Sequence, residues 1–121
     1  MSLNELRDRA HQNAVDHGFT GATVGEEIAL MHSELSEALE EYRNGALPNQ
    51  TLYIDNFCES LRTEERSLDK FKPCGIPSEM ADVIIRVLDF CGKYNIDIDK
   101  AVLEKMKYNA SRPHRHGGKK L

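Results

Sequence analysis

SEMADVIIRVLDFCG, residues 78–92, decides the fold. Met80, Val83, Ile84, Ile85, Val87, Leu88, Phe90 and Cys91 cover nearly the whole circumference of a helix, a pattern suited to burial. Glu79, Asp82, Arg86 and Asp89 interrupt it at steps of three, four and three. With about 3.6 residues per turn, those steps draw one polar stripe along an otherwise apolar helix. Buried charges need partners. Asp82 with Arg86, and Asp89 with Lys93, stand at i, i+4 and predict local ion pairs. Glu79 has no such local partner.

Outward from this segment, three more helices are expected. Ser2 and Glu5 have capping-box spacing and open a helix running to about His17, before Gly18. Its apolar face, Leu3, Leu6, Ala10 and Ala14, is thin. Thr23 and Glu26 repeat the capping spacing and open a helix ending near Asn44-Gly45. There Ile28, Met31, Leu35, Ala38, Leu39 and Tyr42 recur at helical steps, and His32, just off that stripe, reads as a packing histidine. After Tyr94-Asn95 the last helix starts near Asp97 and runs to about Ser111, with Pro113 ending it. The expected fold is all-α, four helices in a single domain over residues 1–121.

Residues 46–75 form a long loop or lid between the second and third helices. Long connections in compact domains are often binding loops; a disordered insertion is the alternative. TEERSLDKF, residues 63–71, suggests a short helix, and no strand pair is evident.

The 121 residues carry a net charge of −4. The last ten, a basic tail at 112–121, hold two Arg, two Lys and no acid, so the remaining 111 carry −8. So acidic a body argues against nucleic acid as the partner, which would need a basic face. The tail itself reads as a solvated end, a phosphate-contacting arm or a nucleic-acid tether. No apolar run is long enough to span a bilayer and the N-terminus lacks a signal-peptide core, so no membrane partner is expected. Three cysteines without a CxxC pair point to a reducing, cytoplasmic setting.

Glu34 and Glu37 on the second helix, and Glu79 and Asp82 on the third, are each one turn apart. If the helices pack antiparallel, the ExxE and ExxD pairs face one another, and four converging carboxylates repel unless a cation neutralises them. An all-oxygen donor set suits Mg²⁺, with Mn²⁺ the alternative, rather than Zn²⁺. Acidic i, i+3 pairs are equally common on solvated helix faces, and that reading stays open for Glu34 and Glu37.

HSELSEALEEYRNG at 32–45, followed by KPCGIPSEMADVIIRVLDFCGKYNIDIDKAVLEKMKYNASRP at 72–113, resembles the MazG-like, all-α nucleoside triphosphate pyrophosphohydrolases. The family pattern, EExxE, then ExxD, then a basic/Asn motif, falls on Glu34 and Glu37, on Glu79 and Asp82, and on Lys105, Asn109 and Arg112. Two features depart from it. Ser33 stands where the first Glu of EExxE would be, and 41 residues separate Glu37 from Glu79, a longer spacer than is usual in the family.

The resemblance implies a four-helix bundle completed by oligomerisation as a homodimer or homotetramer. It also implies Mg²⁺-dependent cleavage of a (d)NTP into (d)NMP and pyrophosphate. Glu34, Glu37, Glu79 and Asp82 would hold the metal, with Glu37 the candidate to orient or deprotonate the attacking water. Lys105 and Arg112 would contact phosphate oxygens, and Asn109 the phosphate, sugar or base. The competing reading is a non-catalytic helical interaction module with a basic C-terminal tail.

Overall fold

The computed structural model describes residues 1–55, 58–63 and 71–113. Four helices dominate: α1 (Leu3–Asp16), α2 (Val24–Arg43), α3 (Ile76–Lys93) and α4 (Ile98–Ser111). No helix among the described residues is long and apolar enough to cross a membrane. The chain forms two compact units, one of Met1–Gly18 with the segment from Leu88 onward, the other of Phe19–Val87.

In the first unit, α1 and α4 cap each other. The Asp99 carboxylate accepts the Leu3 and Asn4 backbone N–H groups at 3.0 and 3.2 Å, while Asn4 Oδ1 accepts from Ile98 N and Asp99 N. The first N–H groups of a helix lack internal acceptors, so this exchange satisfies both starts at once. Ser2 Oγ adds a bond from Glu5 N. At the end of α3, Leu88 and Cys91 are buried, and Arg7 Nη1 donates to Ile96 O at 2.9 Å. Gly92 lies directly against α1: a Cβ there would come within 2.5 Å of His11 Cβ. Asn95, with φ of 53°, makes the left-handed turn that ends α3.

The second unit holds α2, the first part of α3 and a small sheet. Thr23 and Glu26 form the complete reciprocal capping box. The buried residues of α2 are Glu34 and Ala38, four apart and so on one face. His32, expected to pack, is exposed instead. Ile84 and Ile85 of α3 are also exposed, so this helix buries less of its circumference than its composition suggests.

The expectation of a strand-free connection is overturned. Leu52–Asp55 (β1), Cys58–Thr63 (β2) and Lys72–Cys74 (β3) form an antiparallel sheet in the order β2-β1-β3. Leu52, Tyr53 and Ile54 are good strand formers, and Pro73, which lacks an N–H, is confined to an edge strand. Thr63, expected to open a short helix, closes β2; residues 64–70 of that expectation lie outside the described residues.

Gly75 joins β3 to α3. Its φ is 104°, and a Cβ there would lie 2.5 Å from the Gln50 carbonyl oxygen. Its own carbonyl accepts Glu79 N at 3.1 Å, opening the helix. Gly75→Ala therefore combines a forbidden φ with a backbone clash. We expect a loss of about 3 kcal/mol, read by urea denaturation.

Candidate metal centre

α2 and α3 supply one acidic cluster. Glu34 is 7% exposed and is the one buried charged residue among those described. Arg86 Nε donates to its Oε1 at 2.7 Å. The pairing expected within α3, Asp82 with Arg86, thus gives way to one between helices, because the more deeply buried carboxylate has the greater need of a counter-charge. Asp89 meets His11 Nδ1 at 3.0 Å, across to α1.

One carboxylate oxygen each from Glu34, Glu79 and Asp82 lies within 4.8 Å of the others. Glu37 borders both Glu34 and Glu79. Moving from Glu34 to Glu37 along α2 corresponds to moving back from Arg86 to Glu79 along α3, so the two segments run antiparallel. All four expected carboxylates come together in this way, although Glu37 lies outside the tightest group.

Their electrostatics are uneven. Burial, a hydrogen bond to Glu37 and the charges of Glu37, Asp82 and Glu34 push Glu79 up to about 7 from an ordinary 4.5. Asp82 is also raised, by burial and by Glu34, with Arg86 and Lys72 opposing. Burial pushes Glu34 upward too, but its hydrogen bonds to Arg86, Glu37 and Glu79 and the Arg86 charge hold it below the usual range. Glu79 Oε2 is shielded from solvent and has no hydrogen-bond partner among the described residues. A shielded carboxylate oxygen without a donor, in an all-oxygen group with excess negative charge, fits a hard divalent cation.

The metal-free protein should carry the mark of this strain. The raised Glu79 binds its proton more tightly folded than unfolded, so its contribution to stability is full below about 4.5 and lost as pH rises through about 7. Glu34, with a lowered value, acts only further down, losing its contribution as pH falls through its folded pKa. In EDTA, the melting temperature should rise as pH falls from 8 to 5. In Glu79→Gln that rise should be flattened.

Ser33, where the family pattern has a Glu, is exposed and donates from Oγ to Leu30 O at 2.7 Å. Lys105 and Asn109, on α4, and Arg112, its C-cap, belong to the other compact unit and are exposed. Lys105 Nζ and the Arg112 guanidinium lie over the Tyr108 ring, 5.4 and 5.8 Å from its centroid. Tyr108 therefore draws both expected phosphate-binding cations to one place.

Sequence reasoning missed two residues at the carboxylates. Arg86 was on the same stripe as Glu79 and Asp82, so a partner on the facing helix was open to it. Lys72, whose charge reaches Asp82, lay in a segment without periodicity and gave no sign. Comparison with protein-family models, curated proteins and solved structures returned no match.

Proposed function

We propose that the protein is a Mg²⁺-dependent nucleoside triphosphate pyrophosphohydrolase, splitting a (d)NTP between its α- and β-phosphates into (d)NMP and pyrophosphate. The observation that carries this reading is the meeting of Glu34, Glu79 and Asp82 oxygens within 4.8 Å, contributed by two helices. Those residues with Glu37 would hold Mg²⁺, or Mn²⁺ in its place. The bound metal would supply charge for the phosphate oxygens and for the negative charge developing on the leaving group.

The chain's own groups supply the remainder. Glu37, outside the tightest group, is available to orient the attacking water and take its proton. Arg86 holds Glu34 ionised and in place. Lys105, Asn109 and Arg112 would contact the nucleotide, the guanidinium by its two-pronged fork. Supporting the resemblance-based expectation of a homodimer or homotetramer, α2 exposes Ile28, Leu35, Leu39 and Tyr42, a stripe suited to a second copy. On this reading the protein is a cytoplasmic enzyme acting on free nucleotides.

The test is pyrophosphate release from each common NTP and dNTP with Mg²⁺, compared with Asp82→Asn. A non-catalytic helical module predicts no release and no Mg²⁺-dependent rise in melting temperature. A metal bound only by the folded state must produce that rise.

A further inference from the structure

Two cations approach the acidic cluster within the same compact unit, and they differ in kind. Arg86 is committed, with its Nε 2.7 Å from Glu34. Lys72 is exposed, and among the described residues its ammonium is held by no hydrogen bond or ion pair, although its charge reaches Asp82. A lysine serving only as a counter-charge would gain most by closing onto a carboxylate, as Arg86 does.

Its backbone, by contrast, is firmly placed. Lys72 pairs with Ile54 on β1. Two residues on, Cys74 Sγ donates to Leu52 O at 3.2 Å, and Ser78 Oγ reaches back to Pro73 O at 3.1 Å. Gly75 then packs on Gln50 and passes directly into the turn that carries Glu79. The sheet built from the long connection thus fixes the backbone of an uncommitted cation, seven residues before Glu79, whose charge reaches Asp82.

We propose that Lys72 is a substrate-contacting residue that grips the polyphosphate chain of the nucleotide, an inference that rests on the pyrophosphohydrolase reading. An ammonium beside a metal site attracts the free carboxylates, repels the metal that binds to them, and gains a new partner when phosphate oxygens arrive. It therefore favours the metal–polyphosphate complex over the metal alone. The sheet's role in this account is to deliver that charge.

Calorimetric titration with Mg²⁺ alone, and then with Mg²⁺-tripolyphosphate, tests the assignment. Lys72→Met and Lys72→Gln should lose about tenfold or more in tripolyphosphate affinity, the scale of one charge-assisted hydrogen bond. Their affinity for Mg²⁺ alone should be unchanged or tighter, and Lys72→Arg should retain tripolyphosphate binding. Wild-type-like tripolyphosphate binding by both neutral variants overturns the proposal, as does equal loss of Mg²⁺ and tripolyphosphate affinity. So does a wild type that fails to bind tripolyphosphate. Pyrophosphate release measured alongside separates the two claims: binding that depends on Lys72 without hydrolysis overturns the hydrolase reading alone, and hydrolysis indifferent to Lys72 overturns this inference alone.

Discussion

Glu79→Gln is expected to abolish Mg²⁺-dependent pyrophosphate release while making the metal-free protein more stable. The two effects have one cause. Glu79 is crowded by Glu37, Asp82 and Glu34, and its Oε2 is shielded with no hydrogen-bond partner among the described residues, so its charge is a liability until a cation arrives. The amide removes that charge and can donate to a neighbouring carboxylate. It also removes a metal ligand, and we expect a fall in kcat on the order of a hundredfold or more. Thermal melting in EDTA should place the variant above the wild type at pH 8, and added Mg²⁺ should narrow or reverse the order. A structural carboxylate would behave oppositely: its amide would be less stable in both conditions.

Arg86→Met is expected to be the most destabilising single change at the cluster, because it strands Glu34 at 7% exposure without its counter-charge. Breaking a fully buried pair costs roughly 3–5 kcal/mol. The Arg86 side chain is 40% exposed, so solvent already screens this pair and about 2 kcal/mol is expected. Urea denaturation in EDTA measures the loss. Two further results follow from the same geometry. Glu34→Gln combined with Arg86→Met should recover part of the loss, since the stranded charge is gone. Mg²⁺ should also recover part of it in the single variant, by taking over the neutralisation of Glu34.

The helices were legible because their boundaries are set by local chemistry. The Thr23–Glu26 box, the break at Tyr94-Asn95 and the start of α4 at Asp97 lie where the sequence places them. The sheet was not, because its strands span only four, six and three residues, one of them containing Pro73, and no Asn-Gly or Asp-Gly turn announces a hairpin. At the site, i, i+3 spacing paired Glu34 with Glu37 and Glu79 with Asp82, since it fixes which residues share a helix face. It left a solvated face open for the first pair, and only the resemblance singled out all four. Spacing misassigned Arg86, since i, i+4 proximity to Asp82 is visible in sequence whereas the deeper burial of Glu34 is a property of packing. The mutual capping of Asn4 and Asp99, residues 95 apart, was equally hidden.

The most direct measurement of the central claim is pyrophosphate release by the purified protein across the common NTPs and dNTPs, in Mg²⁺ and in EDTA. The account predicts release from at least one nucleotide in Mg²⁺ and none in EDTA. No release from any nucleotide in Mg²⁺, or equal release in EDTA, would contradict it.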